Sequence, residues 1–124
     1  MKSKQAYYAH SMRIYNSATE KNEFDFIKKR FKGKVICPNN ELGELGDIKK
    51  YLEVVKKCKA VYISEYLGMI GKGVFLECET ALKKDIPTFI VRKDVDGEFY
   101  VLEVESVERT KYNDFVRFGL VKTK

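Results

Sequence analysis

Three stretches of this sequence carry side chains that can do chemistry. Ser11 and Arg13 stand two positions apart, just after a short aromatic run. A hydroxyl and a guanidinium so placed can hold a phosphate, the guanidinium in bidentate fashion. Gly68, Gly71 and Gly73 punctuate a later loop, with Lys72 between the last two. Glycines let a backbone come close to an anion, and the amides that open a following helix add partial positive charge. The spacing is not a Walker A motif, since no Ser or Thr follows Lys72, and it is not the GxGxxG dinucleotide fingerprint. Glu77 follows Gly73 by four residues, among Val74, Phe75, Leu76 and Cys78. The pattern places it on the first turn of a helix, where the macrodipole favours a carboxylate anion. An ionised, partly desolvated carboxylate in a cleft can attack an electron-poor carbon or stabilise an oxocarbenium-like centre. Each feature also has a plainer reading. Ser11 and Arg13 suit a solvated turn, the glycines a loop that needs positive φ, and Glu77 the general preference for acids at helix starts. His10 serves equally well as a structural group or a ligand contact.

The elements that must position these residues alternate in type. Residues 5–9 (QAYYA) read as a first strand. Ser17-x-x-Glu20 has the capping-box pattern of a helix start, and Phe24, Ile27 and Phe31 follow on one helical face, with Gly33 as a stop. Residues 34–37 (KVIC) form a second strand, ended by Pro38-Asn39-Asn40. Residues 47–58 repeat the helical period through Ile48, Tyr51, Leu52 and Val55. Residues 60–64 (AVYIS) are a third strand, apolar as if covered on both faces. A third helix over 74–84 and a fourth strand over 86–91 complete a β-α-β-α-β-α-β order. That order implies right-handed crossovers and a mainly parallel sheet. After the Asp96-Gly97 turn, segments 98–105 and 115–121 alternate and read as extra strands in place of a closing helix. In such a sheet, ligands sit outside the carboxyl ends of the strands. The loops after the first three strands, residues 10–16, 38–46 and 65–72, should therefore converge.

The whole chain fits one domain over residues 1–124. Hydrophobic residues make up 44% and charged residues 34%, which excludes disorder and low complexity. Apolar runs are too short to cross a bilayer, and residues 1–13 lack a leader's apolar core, so a cytoplasmic protein with no membrane partner is expected. Cys37, Cys58 and Cys78 are an odd set without CxxC spacing, expected to be buried thiols. With His10 the sole histidine, no metal site and no cofactor are expected. The net charge of +6 is uneven: residues 1–62 carry 14 basic and 7 acidic side chains, a balance of +7, and residues 63–124 carry 10 and 11, a balance of −1. A basic half suits an anionic partner. Nucleic acid is disfavoured, because the sequence has no arginine-rich stripe, no helix-turn-helix signature and no RNA-binding signature.

At these same residues the sequence resembles the nucleoside 2-deoxyribosyltransferase superfamily, nearest its 2′-deoxynucleoside 5′-phosphate N-hydrolase branch. Tyr7-Tyr8-Ala9-His10-Ser11-Met12-Arg13 is similar to that branch's first-strand motif. Gly73-Val74-Phe75-Leu76-Glu77 matches the Gly-x-x-x-Glu that supplies its glutamate, and Ala81 and Pro87 keep the family spacing. The resemblance covers roughly residues 5–92. It implies a flavodoxin-like or Rossmann-like three-layer sandwich, a homodimer, and cleavage or transfer of the N-glycosidic bond of a deoxynucleotide. Carried over, Glu77 is the catalytic carboxylate and Tyr7 orients it or the sugar. Ser11 and Arg13 hold the 5′-phosphate, with His10 alongside and the amides near Gly71 and Gly73 completing the cradle. The chain departs from the pattern in three places. Gly71 replaces an acidic or hydroxyl residue. The position of a family aspartate reads Tyr51 or Leu52, with Glu53 one residue off and Asp47 one helical turn earlier. Strands stand where the family has a closing helix. Three functions stay open: an N-glycosidase, a non-catalytic nucleotide-binding module of the same fold, and a protein-interaction domain that uses Lys28, Lys29 and Lys32.

Overall fold

A computed structural model describes residues 4–11, 14–38, 48–66, 68–114 and 117–124, with side chains left aside over 110–118. Strands β1 (Gln5–Ala9), β2 (Lys34–Ile36), β3 (Ala60–Ser64) and β4 (Thr88–Lys93) run parallel to one another. Helices α1 (Ala18–Phe31), α2 (Ile48–Val55) and α3 (Lys72–Lys83) lie between them in sequence. Strands β5 (Phe99–Asp114) and β6 (Arg117–Thr123) follow. The six strands form one sheet in the order β2-β1-β3-β4-β5-β6.

The expected α/β class and the extra C-terminal strands hold, and those strands make the sheet mixed. β5 pairs antiparallel with β4, and β6 antiparallel with β5. The cause is the short connection after β4. Asp94 Oδ1 accepts the N–H groups of Asp96 and Glu98, and Gly97 takes φ 82°. A tight turn of that kind can only return the chain antiparallel, since a parallel neighbour needs a long crossover. β5 also runs well past the expected residue 105, with register shifts between Val104 and Ser106 and between Arg109 and Asp114.

Strand alternation sends side chains to two cores. Tyr7, Ala9, Val61, Ile63 and Ile90 meet Val55 of α2 and Val74, Phe75, Cys78 and Ala81 of α3 on one face. Ala6, Tyr8, Tyr62 and Val91 meet Ile27 of α1 on the other. The α1 stripe differs from the expected Phe24–Ile27–Phe31 line. Its buried residues are Glu20, Glu23 and Ile27, and the phenylalanines flank them half-buried. The two carboxylates take inward positions because β1 offers each a partner. Tyr8 Oη donates to Glu23 at 2.6 Å, and His10 Nε2 meets Glu20 at 2.6 Å. The capping box is also shifted. Ser17 Oγ accepts the Glu20 N–H at 3.1 Å, but Glu20 reaches back to the N–H of Asn16 at 3.0 Å. The helix stops at Lys32, which takes the left-handed φ of 57° expected of Gly33. Gly33 answers a different need, since a Cβ there would stand 2.8 Å from the Phe31 ring. All three cysteines are buried, and among the described residues they form no disulfide. Among the described residues no helix is long and apolar enough to cross a membrane.

Candidate active site

A cleft of about 470 Å³ opens at the carboxyl ends of β1 and β3, against the N-terminus of α3. It is lined by Tyr7, His10 and Ser11 from the first strand and its loop, and by Gly71, Gly73 and Glu77 from the third loop and α3. Six residues expected to form the site thus share one cavity. Arg13 and Asp47 lie outside the described residues. Tyr15, Tyr51 and Tyr66 also line the cleft, together with Ile48, Met69 and Ile70. An apolar wall carrying phenol rings is suited to a flat heterocycle.

Glu77 sits at the base, 6% exposed. The hydroxyl of Tyr7, itself fully buried on β1, donates to Glu77 Oε2. Seventy residues separate these partners in sequence, so only the sheet–helix packing brings them together. The first-turn placement of Glu77 is corrected. α3 begins at Lys72, so Glu77 falls in the second turn. The macrodipole fades beyond the first turn, and burial takes over. It pushes the Glu77 carboxyl up to about 7, against the opposing hydrogen bond from Tyr7. The Tyr7 phenol is pushed far above its ordinary range by burial and by the facing carboxylate. Burial also raises Tyr15, to about 12. Glu77 is therefore poised to change protonation near neutrality while Tyr7 remains a donor.

The glycine rim divides by role. Gly68 takes φ 77°, so backbone conformation explains that glycine. Gly71 does not share that need: it caps α3 with φ −78°, and among the described residues a Cβ there would meet nothing within 4 Å. A Cβ on Gly73 would meet only Ile48 Cδ1, at 3.9 Å. The N-cap residue of α3, Gly71, has no side chain to cap the helix amides. The rim is therefore open for a ligand to approach the backbone closely. Its position is fixed from outside, because Ile70 exchanges two 3.0 Å backbone hydrogen bonds with Gly119 of β6.

The carboxylate expected to accompany Glu77 is not supplied by α2. Glu53 is exposed and pairs with Lys56 at 3.1 Å, while Tyr51 faces the cleft. Among the described residues, Glu77 is the one carboxylate lining this cavity. Ser64, at the end of β3, was not singled out from sequence. It lines the cleft, and its buried Oγ makes no hydrogen bond among the described residues, although it lies near enough to Glu23 to oppose that carboxyl's burial-driven rise. Nothing in its sequence context marks it, because AVYIS reads as a uniformly buried strand. His10 is buried between polar partners, with Nδ1 2.9 Å from the Tyr8 carbonyl and Nε2 on Glu20. A nitrogen of its ring also lies within 4.8 Å of Cys37 Sγ.

No protein-family model matches the chain, and no similar curated protein was found. The function therefore rests on the cleft and its chemistry.

Proposed function

We propose that the cleft binds a nucleoside 5′-monophosphate, of the deoxy series, and that Glu77 cleaves its N-glycosidic bond by hydrolysis or transfer. The observation that carries this is the Tyr7–Glu77 pair, a buried carboxylate oriented by a phenol at the base of an open cavity. Tyr7 engages Oε2, so Oε1 is the oxygen that would meet the sugar's C1′. In the ionised state Glu77 attacks C1′ or stabilises positive charge there. The base leaves with the electron pair of the broken bond, and water or a second base then takes its place on the sugar. The open rim at Gly71 and Gly73, with the α3 amides, suits the phosphate, and Ser11 stands at the same mouth. Tyr15 and Tyr51 suit the base. The parallel β2-β1-β3-β4 order supports a flavodoxin-like reading of the first four strands. The homodimer belongs to the same reading.

A non-catalytic nucleotide-binding module is the second reading. The lack of a second carboxylate in the described cleft lining favours it, because glycosidic cleavage ordinarily uses two.

One experiment separates them. The chain is incubated with a panel of ribo- and deoxynucleoside 5′-monophosphates, and released base is followed by chromatography. Release that disappears in Glu77→Ala supports the enzyme. No release, with a nucleotide-dependent melting shift that Arg13→Ala abolishes, supports the module. Neither release nor a shift at millimolar nucleotide rejects both.

A further inference from the structure

On the α1 side of the sheet, away from Glu77, three side chains from three elements converge. His10 follows β1, Glu20 lies in the first turn of α1 and Cys37 follows β2. All three are buried. A His10 ring nitrogen, a Glu20 carboxylate oxygen and Cys37 Sγ lie within 4.8 Å of one another, and Nε2 is the nitrogen that meets Glu20.

The surroundings fix which atoms face inward. His10 Nδ1 stands 2.9 Å from the Tyr8 carbonyl, which can only accept, so Nδ1 carries a hydrogen there. Nε2 is then directed at Glu20 Oε2, 2.6 Å away, with one proton held between them. The other Glu20 oxygen accepts the Asn16 N–H at 3.0 Å. The imidazole lies flat on the Tyr8 ring, with centroids 3.9 Å apart and planes at 8°. A ring nitrogen tied to a backbone carbonyl and a carboxylate tied to an amide are the outer supports that metal ligands ordinarily have.

Charge points the same way. Among the described residues, the buried ionisable acids and bases other than tyrosine and cysteine are Glu20, Glu23, Glu77 and His10, and no Lys or Arg is buried. On this side of the sheet two buried carboxyls, Glu20 and Glu23, accompany one imidazole.

We propose that His10, Glu20 and Cys37 bind a divalent cation of zinc's class through Nε2, a carboxylate oxygen and Sγ. A nitrogen, oxygen and sulfur set suits Zn²⁺, Co²⁺ or Fe²⁺, and disfavours Mg²⁺ and Ca²⁺, which take oxygen. Tetrahedral bonds of about 2.0–2.3 Å set ligand atoms roughly 3.3–3.7 Å apart, so the His10–Glu20 contact opens by somewhat under 1 Å. Two protons leave to solvent on binding, one from that contact and one from the Cys37 thiol. His10 also lines the cleft, which gives the ion its way in. The site stands whether or not the cleft handles a nucleotide.

The full chain, stripped with chelator and with its thiols reduced, is titrated with Zn²⁺ alone and with Co²⁺ alone. One ion retained per chain after gel filtration, and thiolate-to-cobalt charge-transfer absorption, are expected. Cys37→Ser removes that absorption, and Cys37→Ser and Glu20→Gln each weaken uptake by about tenfold or more. Cys58→Ser, in the core on the opposite face of the sheet, leaves both unchanged. No retained ion, or an absorption that survives Cys37→Ser, overturns the proposal. If Cys37→Ser does not fold, the wild type decides. Zn²⁺ should slow alkylation of Cys37 relative to Cys58 and Cys78, and an unchanged ratio overturns the site.

Discussion

The Tyr7–Glu77 contact gives a single residue pair two measurable consequences. The Glu77 carboxyl, raised to about 7 by burial, is neutral on the acid side and ionised on the alkaline side. A carboxylate that acts on C1′ must be ionised, so base release should rise as pH climbs through about 7 and then level off. Tyr7 opposes the rise, and Tyr7→Phe removes its hydrogen bond. The midpoint of the pH–rate profile should then move up by about one unit, equivalent to roughly 1.4 kcal/mol of lost hydrogen bonding. A midpoint that stays put or falls would show that Tyr7 does not tune this carboxyl. Gly71→Ala asks a complementary question. Among the described residues a methyl there meets nothing within 4 Å, and Gly exceeds Ala only modestly at a helix cap, so the fold should lose at most about 1 kcal/mol. Nucleotide affinity should drop well beyond that if a phosphate lies against the rim, and calorimetric titration reads the difference. That Ser11, Gly71, Gly73 and Glu77 would meet at one cleft was legible because they lie on or just after the loops that follow parallel strands, whereas Tyr7, inside β1, was reached only through the family resemblance. Ser64 was not, because a lone hydroxyl at the end of an apolar strand carries no mark of what it faces.

Among the elements, β6 bears on the site in a way that its composition conceals. Gly119 pairs with Ile70, and a Cβ at Gly119 would stand 2.6 Å from Phe75 Cδ2 and 3.1 Å from the Glu108 carbonyl. Gly119→Ala must push strand and helix apart. A loss of about 1–3 kcal/mol is expected in chemical denaturation, together with weaker nucleotide binding, because Ile70 belongs to the cleft wall. Retained stability and retained binding together would show that the contact gives way freely. The elements themselves were legible where period and punctuation agreed, as in β1, β3 and α3. The inward face of α1 was not. Glu20 and Glu23 look like solvated charges at helical spacing, and only the hydroxyl of Tyr8 and the ring of His10, on a strand that pairing places alongside, make them buried groups.

The molecule as a whole holds buried carboxyls without buried Lys or Arg among the described residues, and its stability should follow pH accordingly. Glu77 titrates near 4.5 when unperturbed and at about 7 in the fold, and burial raises Glu23 as well. Between those values the folded chain binds more protons than the unfolded one, so stability falls as pH rises through the window. For Glu77 the fall is roughly 3 kcal/mol across it. Glu77→Gln removes that cost, and should melt above the wild type near pH 8 and converge with it near pH 5. A variant that melts lower at both values would contradict burial as the source of the shift. The β-α-β rhythm made the parallel strands legible at this scale. The long β5–β6 hairpin was only half so, because its bulged register breaks the alternation that would have marked its length.

The Ile70–Gly119 pairing also sets an order of events during synthesis. Gly119 is made 49 residues after Ile70. At about 5–20 residues per second, the rim loop and the Phe75 side chain beneath it wait roughly 2–10 s on the ribosome before their cover exists. Until then an apolar stretch of the nascent chain is within reach of chaperones and proteases. A ligand present throughout translation would meet a finished pocket only once that strand has emerged.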